Sequence, residues 1–412
     1  MRPIDFSKNP VHRNTGKTVR LAERKSFLYL IRQMVPYAER IQKSGTDVLY
    51  LNIGDPPKYG FLPPMEVSNA VAEAARSQKY AGYEHSQGYK PLVRLLAKME
   101  GVPESRILIT QGASEAIAIT IHALVGPGEH VLLPGIGYPL YNSKLVDESQ
   151  LIDKSNFYKM DKDFMPDLED ICRKINKNTK AISIINPNNP TGAIYPPEIL
   201  REIARIARRA NVPLIVDEIY DRLALDGKRI TNMREIAHGC VVITLNGISK
   251  NFFYPGARVG YIAVHGAQAK TRGLIFELNK SANGRLSANG EAQLGAYAAY
   301  SMSDAAYKDY ITPYVSQLRA RRDIVYEGIN AIPGVSMVKP EGAFYGYFKV
   351  EDGMVRDDLK FAKQLVKKGV FVVPGSGFEL DPSGTFFRLV FLPAEAVLRE
   401  AVGKIEEFVA GF

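Results

Sequence analysis

Apolar positions recur along this chain with two alternating periods. Between Leu28 and Ile41 they fall at Leu28, Ile31, Met34, Val35, Ala38 and Ile41. Spacings of three and four put these on one helical face. Val48 to Asn52 (VLYLN) predicts a short strand, closed by IGDPPKYGFLPP, whose glycines and prolines continue neither regular element. From about residue 65 helix and strand signals alternate. MEVSNAVAEAARSQ predicts an amphipathic helix, SRILITQGASEAIAITIHAL a strand, a tight turn and a helix, and EHVLLP and TKAISIINP two further strands. PEILREIARIARRAN predicts a helix with Ile199, Ile203, Ile206 and Ala210 on one stripe and Arg201, Arg205 and Arg208 on another. NVPLIVDE and CVVITLNG are nearly continuous apolar runs. Such strands fit a sheet covered on both faces, the mark of a parallel sheet in an α/β domain.

After about residue 300 the texture changes. Tyr300 to Asn330 predicts helix interrupted near Pro313, with a basic cluster at Arg319, Arg321 and Arg322. Short strands (VSMVKP, AFYGYFKV, GVFVVP, TFFRLVF) then alternate with helices over about Asp357–Lys368 and Ala394–Ala410. That is a separate α+β unit.

Composition narrows the function classes. The 412 residues suggest two or three domains at roughly 150 residues each. Two cysteines, Cys172 and Cys240, allow no disulfide framework beyond a single bridge. No run of 18 apolar residues occurs, so a membrane span is not expected. MRPIDFSKNP has no apolar segment of the secretory kind, and the cytoplasm is the expected location. The net charge of +9 leaves a nucleic-acid partner, an anionic substrate or neither open.

Several familiar signatures fail. Gly16-Lys17-Thr18 mimics the end of a phosphate-binding loop, but its leading glycine is missing. The six histidines are scattered without metal-ligand spacing, so no metal is expected. No GxSxG elbow appears. Basic residues lie singly on helices, without the aromatic interleaving of a nucleic-acid surface.

What remains is polar chemistry at the ends of apolar strands, where ligands of open α/β sheets bind. Thr110 to Glu115 (TQGASE) leaves a strand and enters a helix, a place for an anion or an ordinary cap by Ser114. NPNNPTG, Asn186 to Gly192, offers three amides on a stiffened turn, or an Asx-rich turn and nothing more. Asp217 to Asp221 (DEIYD) puts an acid at the end of a buried run, which needs a cationic partner. Asn246 to Lys250 (NGISK) ends in a lysine that is either an ion-pair member or a Schiff-base amine. Arg258, eight residues on, suits a phosphate dianion. Together these residues match the needs of pyridoxal 5′-phosphate: a phosphate anchor, an acid for the ring nitrogen, donors for the ring oxygen and a lysine for the aldehyde.

From about Leu49 to its last helix, the chain resembles the class I and II aminotransferases, fold-type-I enzymes that use pyridoxal phosphate. NPNNPTG, DEIYD, and Ser249-Lys250 followed by Arg258 in GARVGY carry the likeness, together with PEGAFY (340–345) and FFRLVFL (386–392). PGIGYPLY and YEHSQGY are similar to the alanine/aspartate-type branch. The resemblance implies an α/β fold. A large domain, 46–310, would hold a mostly parallel, mixed seven-stranded sheet flanked by helices, and 1–45 with 311–412 would form a smaller α+β domain.

The resemblance also implies roles. Lys250 would form the Schiff base and move the proton between substrate and cofactor, Asp217 would pair with the ring nitrogen, and Tyr220 and Asn189 would bond the ring oxygen. Tyr138 would stack on the ring. The phosphate would be held by the N–H groups of Ala113 and Ser114, by Arg258, and by Tyr83 reaching from a second copy in a homodimer. Arg388 and Gly54 would take the substrate α-carboxylate, with Asn189 beside them. The family usually has a hydroxyl three positions before the lysine; here Gly247 stands there, and Ser249 is the nearest substitute. The implied reaction moves the amino group of an L-amino acid to a 2-oxo acid, usually 2-oxoglutarate, through pyridoxal and pyridoxamine phosphate forms in ping-pong order. A β-C–S lyase on the same scaffold is the alternative. A non-catalytic module would need a further DNA-binding domain, for which the enzyme-sized body leaves no room. Alanine, aspartate and aromatic donors stay open, since Phe27, Tyr59, Tyr83 and Tyr138 would accept an apolar side chain and no local feature marks a second carboxylate site.

Overall fold

The computed structural model describes residues 30–150, 153–351, 353–379 and 385–411. Phe27, Leu28 and the Gly16–Thr18 triplet lie outside the described residues. Thirteen strands occur among the described residues. In chain order they are β1 (Leu49–Tyr50), β2 (Ile107–Thr110), β3 (His130–Pro134), β4 (Phe157–Tyr158), β5 (Thr179–Ile185), β6 (Leu214–Asp217) and β7 (Val242–Gly247). Then follow β8 (Gly260–His265), β9 (Val335–Met337), β10 (Tyr345–Val350), β11 (Val370–Phe371), β12 (Val373–Pro374) and β13 (Thr385–Val390).

Seven of these form the large sheet, in the order β2-β8-β7-β6-β5-β3-β4. β8 runs antiparallel to both neighbours and the other pairings are parallel. The continuous apolar runs LIVD and VITLNG are buried along their whole length, as strands covered by helices on both faces must be. The parallel strands β5, β6 and β7 all end at one edge, and that edge carries the chemistry.

The smaller domain draws on both chain ends. β1 pairs in parallel with β11, and β12-β13-β10-β9 form an antiparallel sheet. Its core joins Met34 and Ala38 near the start of the described chain to Phe371, Leu398 and Ile405 near its end.

Three local expectations change. The opening helix is broken into Leu30–Gln33 and Val35–Lys43. Pro36 lacks the N–H that would bond back to Arg32, so a second helix starts there. In the helix Pro197–Ala210 the buried face is Leu200, Ile203, Ala204, Ile206 and Ala207, while Ala210 is exposed. The predicted stripe is thus rotated, and the last turn faces outward. The helix Asp304–Ala331 runs unbroken through Pro313. Tyr310 and Tyr314, flanking that proline, pack their rings on Phe253, and this packing outweighs a local cost of about 3 kcal/mol. The nearby basic cluster is partly structural. Arg322 is buried and bonds both oxygens of Asp226 at 2.7 Å.

No described helix is long and apolar enough to cross a membrane. No group of three or more His, Cys, Asp or Glu among the described residues could hold a metal ion.

Candidate active site

A cavity of about 580 Å³ opens at the carboxyl edge of the large sheet, against the smaller domain. Of the residues singled out in the sequence, Gly54, Ala113, Ser114, Tyr138, Asn189 and Asp217 line it, with Tyr220, Lys250, Arg258 and Arg388. Tyr83 does not; it is 85% exposed, in the segment between the helices Met65–Ser77 and Lys90–Glu100.

Asp217 closes β6 and is buried. Its carboxylate accepts from the Tyr141 hydroxyl at 3.2 Å and from the Ile219 N–H at 3.2 Å. Burial pushes the carboxyl up to about 6, and these two neutral donors only partly oppose that. A cation in the cavity would hold it ionised.

Lys250 follows β7 on a single turn, Ile248–Asn251. Its amine donates to the Gly54 carbonyl at 2.7 Å and lies 5.5 Å from the centre of the Phe344 ring. Burial lowers the amine to about 8; Asp55 works against this, and Arg388, Arg258 and Arg32 work with it. A lysine brought down in this way is a better nucleophile and base at neutral pH than an ordinary one.

The anion cradle sits where β2 turns into the helix Ala113–Leu124. Gly112 is the N-cap, with φ of 75°, and no side chain caps the helix. The Ser114 cap considered from the sequence is therefore not formed. Ser114 instead lies inside the first turn, where helix N–H groups and the positive end of the dipole favour an anion. Arg258 stands beside this turn and donates to the Gln111 carbonyl at 3.3 Å. A Cβ on Gly112 would come within 2.6 Å of the Arg258 guanidinium, so the missing side chain is what admits the arginine.

The glycine at 247 has a steric cause. It pairs with Gly260 across β7 and β8. A Cβ on Gly247 would lie 2.6 Å from the Val259 carbonyl, and one on Gly260 would lie 2.6 Å from the Ala113 nitrogen. Neither place admits a hydroxyl-bearing side chain. Ser249 lines the cavity in its stead.

Arg388 comes from β13 in the smaller domain and is buried. It donates to Asn189 Oδ1 at 3.3 Å and to the Asn52 carbonyl, and its guanidinium lies 4.7 Å from the Tyr345 ring centre and 4.8 Å from that of Phe378. Tyr220 and Tyr345 share a hydroxyl contact of 2.9 Å.

The residues present fit pyridoxal phosphate. A buried acid whose bonded partners are neutral, a cradle that an added Cβ would fill, and a lowered lysine share one cavity. Sequence reading gave no role to Tyr141, Tyr345, Asp55 or Arg32, all of which touch this chemistry. Tyr141 and Tyr345 lie within motifs noted in the sequence, but only the fold shows what their hydroxyls reach.

Comparisons with known proteins agree with this geometry. The family model described as aminotransferase class I and II matches residues 46–405. The glutamate–pyruvate aminotransferase AlaA of Escherichia coli K12 is 35% identical over 91% of this chain and 93% of its own. An alanine aminotransferase of Mycobacterium tuberculosis H37Rv is 31% identical over 97% of this chain and 95% of its own. Among solved structures, the alanine aminotransferase of Pyrococcus furiosus superposes with a TM-score of 0.87 at 34% identity, covering 93% of this chain and 98% of that one.

Proposed function

Because the chain belongs to the class I and II aminotransferases, we propose that it transfers the amino group of alanine to 2-oxoglutarate, and the reverse, in a homodimer. That it is a transaminase of the alanine/aspartate-type branch follows from the family. An amino acid leaves as its 2-oxo acid before a second 2-oxo acid enters and leaves as an amino acid. Membership also implies pyridoxal phosphate as cofactor. The choice of alanine and 2-oxoglutarate is supported by the names of the relatives, which act on glutamate and pyruvate or on alanine.

The observation that carries the reading is the meeting of Asp217, Lys250 and Arg388 in one cavity, from β6, the turn after β7, and β13 respectively. When bound, pyridoxal phosphate supplies an aldehyde that condenses with amines and a ring that takes up electron density from the substrate α-carbon. Lys250 would hold the aldehyde end and then accept the α-proton. An amine lowered to about 8 has a neutral fraction at pH 7 roughly 300-fold above that of an ordinary lysine. Asp217 would keep a proton on the ring nitrogen, its negative charge offset by that partner. Tyr220 and Asn189 would bond the ring oxygen, and Tyr138 would cover the ring face.

Ala113, Ser114 and Arg258 would hold the phosphate, with Tyr83 of the partner subunit. Arg388 and Gly54 would hold the substrate α-carboxylate and so set which α-carbon bond faces Lys250. The division into 46–310 and 1–45 with 311–412 is part of the same reading, since the cavity lies between the large sheet and β13. A cytoplasmic location is also part of it, in keeping with two cysteines held as free thiols.

The test is a panel of amino donors and 2-oxo acids supplied to the purified protein loaded with pyridoxal phosphate. Alanine with 2-oxoglutarate should exceed aspartate and tyrosine by about tenfold, a margin of roughly 1.4 kcal/mol. A preference for aspartate or an aromatic donor would overturn the substrate choice. Release of pyruvate and ammonia from a β-thio amino acid without any acceptor would point to lyase chemistry instead.

A further inference from the structure

Lys250 rides on a four-residue turn, too short to fix its own direction through internal backbone bonds. Asp217 is the last residue of β6, and Tyr220 lies in the loop that follows it. The β6–β7 ladder that joins the two segments ends at Asp217 and Leu245, with a last bond from the Glu218 N–H to the Leu245 carbonyl at 2.9 Å. Backbone bonds hold Asp217 within that ladder and tie the start of the lysine turn to the β8 side, through the Ile248 N–H and the Val259 carbonyl at 3.2 Å; what joins the turn to the loop of Tyr220 is side-chain bonding.

Asn251, next to the lysine, makes such bonds. It is 1% exposed and is not part of the cavity lining. Its Nδ2 donates to Asp221 Oδ1 at 2.7 Å, and its Oδ1 accepts from the Arg222 N–H at 3.3 Å. Both partners sit directly after Tyr220. A longer contact of 3.4 Å runs from Nδ2 to Asn246 Oδ1 at the end of β7. The Asn251 carbonyl also accepts from the Tyr307 hydroxyl at 2.9 Å, which ties the turn to the helix Asp304–Ala331.

The partners are themselves held. Asp221 Oδ2 accepts from Asn232 Nδ2 at 3.1 Å. The Arg222 guanidinium lies 4.7 Å from the ring centre of Tyr307 and 5.5 Å from that of Phe252.

We propose that Asn251 is a positioning residue for transamination: by bonding Asp221 and the Arg222 N–H at once, it fixes the Lys250 turn against the loop that leads from Asp217 through Tyr220. It touches neither substrate nor cofactor and acts through Lys250. The proposal rests on Lys250 being the reacting amine. An amide suits the task because it donates to a carboxylate and accepts from a backbone N–H simultaneously, which neither a carboxylate nor a hydroxyl of the same reach does as well.

The test exchanges donor and acceptor. Asn251→Asp sets two carboxylates face to face, and Asp221→Asn sets amide donors from Asn232 and Asn251 against a new amide. The double variant Asn251→Asp with Asp221→Asn restores one donor opposite one acceptor, and the oxygen facing the Arg222 N–H remains. Each single change should lower kcat about 10- to 100-fold, the range expected when reacting groups shift by an ångström. The KM for the amino donor should stay within about threefold, because Arg388 is untouched. The double variant should recover to within about threefold of the parent.

A second readout needs neither cofactor nor turnover. In the cofactor-free protein, the rate at which Lys250 is modified by acetic anhydride across pH, measured on its peptide by mass spectrometry, reports the amine directly. It stands at about 8 in the parent, where burial, Arg388, Arg258 and Arg32 lower it and Asp55 raises it. Asn251→Ala changes no charge and should move it upward by about one unit as the amine loses its enclosed place.

Asn251→Ala with Lys250 still near 8 and kcat within about twofold of the parent would overturn the proposal. So would a folded double variant no faster than its slower single parent, and this second arm stands even where Asn251→Ala does not fold. Turnover retained in Lys250→Ala would instead remove the reading on which the proposal rests, whatever the Asn251 variants do.

Discussion

Burial acts on Asp217 and Lys250 in opposite directions, up to about 6 for the acid and down to about 8 for the amine. Both shifts disfavour the charged form, and each has a sign that can be measured. A folded chain that binds the Asp217 proton more tightly than the unfolded chain gains stability fully below 3.8 and loses it as pH rises through about 6. Relative to Asp217→Asn, the cofactor-free protein should therefore lose about 3 kcal/mol between pH 3 and 7, from about two units at 1.36 kcal/mol each. Urea unfolding of both proteins across that range checks this, and a flat difference would refute it. Pyridoxal phosphate should shrink the loss by giving the carboxylate a cation. On activity, Lys250→Ala should abolish transamination together with the visible absorbance of the loaded enzyme. Arg388→Ala should raise the KM for amino acids by about 100-fold or more, because it removes a charge-assisted carboxylate contact; unchanged affinity would take it out of the site.

At this scale the candidate chemistry was legible because it is local. An acid after LIV, a lysine after VITLNGIS and a glycine before a helix all declare themselves by where an apolar run stops. What stayed hidden depends on distance along the chain. The hydroxyl on Asp217 comes from Tyr141, 76 residues away, and the one on Tyr220 from Tyr345, 125 residues away. Asp55 and Arg32 act on the Lys250 amine through space, from the first sixty residues. Of the two readings open for Ser114, the cap fails for a different reason. Cap preference is a statistical tendency, and Gly112, with its positive φ, starts the helix two residues earlier.

Elements show the same contrast between local pattern and packing. Periodicity located the helix Pro197–Ala210 but not the orientation of its buried face, which depends on the sheet beneath it. Pro313 read as a break because proline opposes helix locally, and the aromatic packing around Phe253 was invisible to that rule. The pair Gly247 and Gly260 gives the sharpest element-level prediction. Restoring the hydroxyl usual in the family, as Gly247→Ser, should not strengthen cofactor binding. The new Cβ meets the Val259 carbonyl at 2.6 Å, and forcing β7 from β8 should cost about 1–3 kcal/mol of stability. Urea unfolding together with titration by pyridoxal phosphate decides this. Tighter binding with unchanged stability would show that the strands yield. Gly260→Ala should act one strand further on, displacing the Ala113 N–H group and weakening phosphate anchoring more than it lowers stability.

At the scale of the whole molecule, charge and the proposed homodimer are what remain to be placed. Of the surplus of positive charge that first admitted a nucleic-acid partner, part faces the cavity, where Arg388 lies buried and Arg258 and Lys250 line the wall. Tyr83 is the opposite case, a large aromatic left 85% exposed and outside the cavity, with Leu62 and Met65 also exposed at 53% and 69%. Exposed apolar groups of this size suit a subunit interface, and a Tyr83 that serves a neighbour's phosphate makes a testable demand on a dimer. Tyr83→Ala should weaken pyridoxal phosphate binding about tenfold, the loss of one hydrogen bond to a charged group, while Lys250→Ala is inactive. If the proposed homodimer holds, the two variants mixed and refolded together would form some dimers with one protomer of each kind. In such a dimer the protomer that keeps Lys250 receives its tyrosine from the Lys250→Ala partner, so one site is intact. Those hybrids, separated by differently tagged chains, should bind pyridoxal phosphate at that site as tightly as the parent and recover about half its activity per dimer. Were Tyr83 to serve its own chain, every site in the hybrid would lack either the lysine or the tyrosine, and parental affinity would not return at either one.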